Sequence, residues 1–455
     1  MNLDLFQIVE SATLRDALEK IEKNHKGFIL ATDDEKRVVG LATDGDIRRC
    51  LLSGGSLTGS VSDCLNRDFV WAPSNISREA LLKQLDHCIR NVPLLDEQQR
   101  LISIASRDWL PPQDEMPIYA RARAPVRVSF GGGGSDLTHY FANADGAVIN
   151  CTLALYSHAT LKTRNDRKII IKSHDLKHTL KADCLEEAYN SDGPFTLIIS
   201  LLRTINPEYG FEMDLHSDFP MNSGLGGSAV ICAVVLGCFN QLRLDKWDLH
   251  ELAELAYQAE RLHMGVAGGW QDQYASVFGG FNFMEFRMEQ NIVHPLRIPP
   301  DVLLELEECL VLCDSAISHN SGDIHDHQKL SMGQQVVAEK VEENVALTYE
   351  MRNNLLRGRL HCFAKNLDKA WYLKRQFSSK ISNAELDKIY EVAKQNGAIG
   401  GKLLGAGGGG FFLFYVPAFK KLDLINALES FGKKTQQFRF EPDGLKSWTV
   451  REEKV

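Results

Sequence analysis

An α+β fold in about three domains is what this sequence predicts, and three observations predict it. The first quarter of the chain repeats itself. A short break rich in proline and acid follows. The remainder carries three glycine clusters, each beside a strongly apolar segment. Of the 455 residues, 44% are hydrophobic and 24% charged, which supplies enough apolar material for a sizeable buried core.

Residues 6–46 and 69–109 align without a gap. Ser11, Arg15, Asp16, Ala17, Leu18 and Lys20 face Ser74, Arg78, Glu79, Ala80, Leu81 and Lys83. Further on, VVGLAT (38–43) faces LISIAS (101–106). Each copy reads as a helix followed by two short apolar strands. So small a unit cannot bury its apolar face alone, so the two copies should pair. Three prolines and two acids in residues 110–117 suit a linker. The expected domains are therefore 1–112, 117–310 and 311–455.

The first glycine cluster is Gly131–Gly134, entered from the strand-like VRVSF and followed by Ser135 and Asp136. Glycine lets a backbone turn sharply and approach a ligand closely. Arg127 is the one cation in that strand segment, and Asp136 is a candidate acceptor for sugar hydroxyls. Taken alone, the segment reads equally as a tight hairpin with an exposed acid.

The second cluster runs from Pro220 through Gly224, Leu225, Gly226 and Gly227 to Ser228 and Ala229, then opens into VICAVVLGCFNQL. A glycine turn opening a helix points unpaired N–H groups outward, which makes an anion site from backbone dipoles. Ser228 stands at the helix start, where its hydroxyl can reach a phosphate-bound Mg²⁺. GxxxxGK[ST] is absent, so this is not a Walker A loop.

Between the second and third clusters, residues 248–263 have helical periodicity, with Leu249, Leu252, Ala256, Ala259 and Leu262 on or near one face. Glu260 falls in the last turns and Gly265 ends the helix. Asp272 follows, flanked by glycine and amide residues, as suits a restricted polar pocket. The third cluster, Gly405–Gly410 with Gly407 and Gly408 at its centre, leads into the apolar FFLFY.

A net charge of −9 gives no bulk attraction to nucleic acid or anionic membrane. Bound phosphate must then be held by local geometry. The ten cysteines are scattered, without CxxC or metal-finger spacing, which reads as reduced thiols. The N-terminus lacks a signal-peptide pattern. The longest apolar run, Ala229 to Phe239, is about half the ~20 residues of a membrane span. The expectation is a cytoplasmic protein.

The repeat resembles a tandem CBS-domain pair, carried by Gly40-Leu41-Ala42-Thr43-Asp44-Gly45-Asp46. That resemblance implies a regulatory adenine nucleotide contacted by Thr43 and Asp46. In the second copy Trp109 stands opposite Asp46, so one good site at most is expected. Nucleotide sensing and a purely structural role, as spacer or homodimer contact, both remain open here.

From residue 118 onward, RARAPVRVSFGGGGSD, AERLHMGVAGGWQDQYASVFGGFNFMEF and GGKLLGAGGGGFF together resemble the GHMP kinase superfamily. They look closest to the D-glycero-D-manno-heptose 7-phosphate kinases. The resemblance implies a two-domain unit with ATP and sugar meeting between its lobes. It implies that Pro220 to Ala229 form the ATP phosphate loop, that Ser228 and Glu260 hold Mg²⁺, and that Asp272 is the base. Arg127 would pair with that base and the transferring phosphate. Gly132, Gly133, Gly134, Ser135 and Asp136 would hold the sugar, and glycines 405–410, with Gly407 and Gly408, would close over the phosphates. Glycines replace the Glu-His of galactokinases at 131–134, which argues against galactose.

The implied reaction is phosphorylation of the anomeric hydroxyl of heptose 7-phosphate, giving the 1,7-bisphosphate for nucleotide-activated heptose synthesis. Another sugar 1-kinase, such as a fucokinase, and a silent nucleotide-binding regulator are the alternatives. Lys162, Arg164 and Lys172 are the cations considered for the sugar phosphate, each reading better as a solvated surface residue. His319, His325 and His327 read as a loop over the sugar site rather than a metal centre.

Overall fold

The computed structural model describes the chain except for residues 1, 86–88, 107–109, 111–117, 165, 221–222, 318–323, 325–326, 329, 332–334 and 452–455. Linker residues 111–117, Trp109, residues 221–222 of the second glycine loop, His319 and His325 therefore lie outside the described residues. The chain divides into two compact units, one built on Met1–Pro117 and one on Ile118–Gln241 with Trp247–Glu452.

In the first unit each repeat copy forms a three-stranded sheet. β1 (Gln7–Val9), β2 (Phe28–Thr32) and β3 (Val38–Thr43) make one; β4 (Ala72–Pro73), β5 (Asn91–Leu95) and β6 (Leu101–Ser106) make the other. In both, the first pairing is parallel and the second antiparallel. Both carry a register shift at the same place in the repeat, Ala31/Thr32 and Leu94/Leu95. The leading strands β1 and β4 go beyond the helix and two strands expected for each copy.

The helices Leu14–Asn24 and Arg78–Gln84 start on the Ser/Thr caps Thr13 and Ser77, whose hydroxyls accept the third amide of the turn. Phe6, Phe28, Leu30 and Val38 of the first copy share one apolar cluster with Leu95, Leu101 and Ile104 of the second. That shared burial is what pairs the copies.

The second unit is organised by β8 (Gly146–Thr163), which is long enough to be paired along both edges. β7 (Ile118–Gly131) runs along one edge and pairs in turn with β18 (Lys446–Arg451). The other edge is shared by β11 (Phe211–Ser217) and β12 (Phe281–Phe286). β9 (Ile169–Ser173), β10 (His178–Ala182) and β13 (Asn291–Pro295) complete this eight-stranded sheet. The expected short strand VRVSF is the end of the 14-residue β7.

β7 alternates. Ala120, Ala122, Ala124, Val126, Val128 and Phe130 are buried on one face. Arg121, Arg123, Arg127 and Ser129 lie on the other. Arg121 is exposed, whereas Arg127 and Ser129 are buried where the site covers that face.

A second sheet has the order β15–β16–β14–β17, formed by Gly400–Leu403, Phe411–Tyr415, Leu310–Asp314 and Lys434–Gln436. The helix Leu360–Lys374 packs on β15 at Gly400, where a Cβ would stand 2.1 Å from the Ala364 carbonyl. No described helix is long and apolar enough to cross a membrane. The described cysteines are free thiols.

Candidate active site

The second glycine cluster opens the helix Gly227–Gln241, as its sequence predicts. Gly224 and Gly226 have φ of +75° and +80°, a left-handed geometry that side chains resist. Arg127 reaches this loop from β7. Its Nη1 donates to the Gly224 carbonyl at 2.7 Å, while Nε and Nη2 donate to the two carboxylate oxygens of Asp272 at 2.8 Å each. One buried guanidinium thus fixes the second glycine loop and Asp272 relative to each other. Asp272 sits in the first turn of the helix Gln271–Phe278, directed there by the glycine segment before it.

Glu260 arrives by a different device. The helix Leu249–Gln258 starts on an Asp248–Glu251 capping box and then widens into a π turn over Ala259–His263. Such turns absorb an extra residue and are frequent at functional sites. Here the turn buries Glu260, which accepts from the Ser228 hydroxyl and from Gln273 Nε2 at 2.6 Å. Within the π turn the expected apolar stripe is broken. Leu262 is exposed, and so is Leu249 at the opposite end, while Leu252, Ala256 and Ala259 are buried.

Asp136 is buried beneath Gly269, where a Cβ would stand 1.8 Å from its Oδ2. It accepts from the amides of Gly134 at 3.0 Å and Gln271 at 3.3 Å. Burial, with the nearby Asp272 carboxylate, lifts its pKa above the ordinary value. Ser135 lines neither cavity and braces the turn, its hydroxyl donating to the Gly132 carbonyl at 2.7 Å and accepting from the Ala147 amide at 3.1 Å.

Two cavities meet here. One, of about 550 Å³, has apolar walls from Phe195, Ile198, Leu215 and Phe219, and polar walls from Gly226, Gly227, Ser228 and Glu260. The other, about 40 Å³, is polar, lined by Ser129, Gly133, Gly134, Asp136, Gln271 and two lysines, Lys374 and Lys402. Asp272, Arg261 and Ala406 line both.

In the third glycine cluster, Gly405 lines the small cavity. Gly407 and Gly408 line neither cavity and pack on Ile381, whose carbonyl accepts from the Gly408 amide at 2.9 Å. Gly405 and Gly410 press on the second loop instead. A Cβ at Gly405 would stand 2.7 Å from Gly224 Cα, and one at Gly410 2.6 Å from the Ser223 carbonyl. These glycines let two backbones touch, so the third loop braces the second. Pro220, Leu225, Ala229 and Gly132 also stand outside both linings.

Sequence reasoning missed Lys374 and Lys402. Lys402 stood just before the third cluster, in Gly400-Gly401-Lys402, and that was its only signal. Lys374 ends a helix and gave none. Arg164 is instead paired with Asp166 and Glu212. Lys162 lies over the Tyr119 ring. The described residues hold no group of three or more His, Cys, Asp or Glu placed to bind a metal ion. In the first unit, Thr43 and Asp46 close on each other in a capping box at the helix Asp44–Leu52, and Arg49 holds the carboxylate's other oxygen.

A glycine loop at a helix start, beside an acid gripped by arginine and a second buried acid, is an arrangement for phosphoryl transfer. Known proteins agree. The model for the GHMP kinases N-terminal domain matches residues 195–280, that for the GHMP kinases C-terminal domain 351–434, and that for the CBS domain 1–53. A D-glycero-alpha-D-manno-heptose 7-phosphate kinase of Campylobacter jejuni is 37% identical over 336 residues, covering 72% of this chain and 99% of that protein.

An L-fucokinase/L-fucose-1-P guanylyltransferase of Bacteroides fragilis is 26% identical, covering 64% of this chain and 34% of that protein. Among solved structures, a D-glycero-D-manno-heptose 1-phosphate kinase from Bacteroides thetaiotaomicron superposes with TM-score 0.61 at 28% identity, over 73% of this chain and all of that one. The chain belongs to the GHMP kinases, with a CBS domain at its N-terminus. It is a sugar kinase, and ATP is its phosphoryl donor.

Proposed function

We propose that this kinase phosphorylates the anomeric hydroxyl of a heptose phosphate, D-glycero-D-manno-heptose 7-phosphate above all, giving the 1,7-bisphosphate. The observation that carries the reading is Asp272, which lines both cavities at once. The larger suits ATP: apolar walls for the base, and backbone amides with Ser228 for the phosphates. The acceptor sugar comes from the polar side, with Asp136 taking hydroxyl protons in hydrogen bonds.

In this reading the anomeric oxygen attacks the γ-phosphorus and the bond to the β–γ bridging oxygen breaks. The hydroxyl proton passes to Asp272, and ADP leaves. Each Asp272 oxygen already accepts from Arg127 and keeps a lone pair for the hydroxyl. Arg127 keeps the carboxylate oriented and adds positive charge beside the transferring group. The exposed Ser228 hydroxyl beside the buried Glu260 carboxylate suits Mg²⁺, a hard cation held by one carboxylate plus substrate phosphates. When bound, the ion neutralises phosphate charge.

The division at 310/311 between the kinase domains belongs to the same reading, since β14 of the second sheet begins at Leu310. For the first unit, the reading is an adenine nucleotide bound by the first copy through Thr43 and Asp46, which lie within the CBS match.

The two heptose kinase relatives name different phosphate positions, 7 and 1, so the test must separate them. ADP release should be measured with heptose 7-phosphate, heptose 1-phosphate, free heptose and fucose. Preference for the 7-phosphate, by at least about tenfold in kcat/KM, is expected from charge-assisted bonds to that group. Equal use of free heptose, or preference for fucose, would overturn the assignment.

A further inference from the structure

Around the small polar cavity the charges do not balance. Arg127 is matched by Asp272, and Arg261 has Glu260 at 3.6 Å. That leaves one carboxylate, Asp136, facing two ammonium groups, Lys374 and Lys402. All three are more than nine-tenths buried. Buried cations are costly unless paired with opposite charge.

Hydrogen bonds tell the same story. Among the described residues, Lys402 Nζ makes one bond, to the Phe130 carbonyl at 3.2 Å. Lys374 Nζ makes two, to the Leu403 and Gly405 carbonyls. With both amines protonated, as a bound anion favours, three ammonium protons are left to donate. Ser129 Oγ and Gln271 Oε1, on the same cavity wall, are buried with no hydrogen-bond partner. A ligand satisfying all of these brings negatively charged acceptor oxygens for the lysines and a hydroxyl for the Gln271 carbonyl.

We propose that Lys374 and Lys402 form an anion subsite that takes phosphate oxygens on the acceptor side of Asp272. This rests on the sugar-kinase reading of the same site and supplies the cations that reading lacked. The phosphate can come from two sources: the acceptor sugar's own phosphate, or the γ-phosphoryl group during transfer. Lys402, from β15, and Lys374, from the helix packed on it, act as a pair because Gly400 lets helix and strand approach.

Two measurements on the full chain test the subsite. First, the nucleotide cavity is saturated with ADP and Mg²⁺, inorganic phosphate is titrated, and the melting temperature is followed. The parent should gain stability with phosphate, while Lys402→Met and Lys374→Met should lose that gain. Their ligand-free melting temperatures should not fall, because methionine replaces a buried amine whose charged form burial already disfavours. No gain in the parent, or variants that melt lower yet keep the full gain, would overturn the proposal and make the lysines structural.

Second, kcat/KM is compared for a heptose phosphate and the free heptose. A loss of at least about tenfold confined to the phosphorylated sugar assigns the subsite to the acceptor's own phosphate. An equal loss on both assigns it to the transferring phosphoryl. Parent kinetics on both sugars overturn the proposal. A parent that phosphorylates no sugar defeats the proposed function, while the melting measurement still decides the subsite.

Discussion

Arg127 holds both carboxylate oxygens of Asp272, Nε to Oδ1 and Nη2 to Oδ2, each at 2.8 Å, across 145 residues of sequence. The pair ties the face of β7 to the first turn of a helix that begins far down the chain. If Asp272 is the base, Asp272→Asn removes the proton acceptor while keeping the shape. kcat should fall by about 10²–10⁴-fold with ATP affinity nearly unchanged. Arg127→Lys keeps the charge but cannot make the forked contact or also hold Gly224, so kcat should fall there too. Steady-state kinetics beside ATP titration check both. An Asp272→Asn enzyme retaining more than roughly a tenth of parental kcat would refute the role.

Ser228 and Glu260 share a hydrogen bond in the larger cavity. If they are ligands of a magnesium ion that accompanies ATP, both should matter to metal affinity. Ser228→Ala and Glu260→Gln should shift the Mg²⁺ dependence to higher concentration and lower the rate at saturating ATP. An unchanged Mg²⁺ profile in both variants excludes them.

Gly269 has no room for a methyl group, because Asp136 Oδ2 occupies the place of its Cβ. Gly269→Ala should displace Asp136 by about an ångström, enough to cost roughly 10²-fold in kcat/KM for sugar. ATP binding should survive, since Asp136 lines the small cavity and not the large one. Equal loss of ATP affinity would mean the substitution had damaged the fold instead.

Burial, reinforced by the Arg127 charge, pulls the Lys374 pKa down to about 7, from an ordinary value of 10.5. Between these values the unfolded chain holds a proton that the folded chain has released. Stability of the ligand-free protein should therefore gain from this group as pH rises from about 7 to 10.5. Below about pH 7 both states are protonated and the contribution is flat. The melting-temperature difference between parent and Lys374→Met, followed over this range, should show the rise. A difference independent of pH would contradict it.

Calorimetry on the full chain should detect a nucleotide site beyond the active site if the first repeat copy binds an adenine nucleotide. Asp46→Asn should weaken that site while keeping the acceptor the helix cap needs. Coupling of about 1–3 kcal/mol would give several-fold modulation of kinase rate. Identical AMP titrations for parent and Asp46→Asn would leave the repeat as a structural element.

By itself the sequence determined whatever rests on short-range pattern. The repeat was legible because the helix-and-strand periodicity recurs at a constant offset. The second glycine loop was legible as a candidate phosphate site because glycines running into an apolar helix have few other uses. Asp272, Glu260 and Arg127 were nameable because local motifs surround them.

Only the tertiary structure decided what depends on chain segments far apart meeting. That Arg127 locks onto Asp272 depends on β7 pairing with β8 and on the loop at Gly224 passing beneath. The π turn that buries Glu260 and exposes Leu262 is invisible to 3.6-residue periodicity, since it depends on Ser228 and Gln273 arriving from elsewhere. In the third glycine cluster Gly405 and Gly410 press on the second loop while Gly405 also lines the small cavity, contacts no pattern could name because glycine permits close approach without saying to what. Lys374 and Lys402 carry the same lesson. A lysine in a sequence reads as solvated, and only packing can bury it against unbalanced charge.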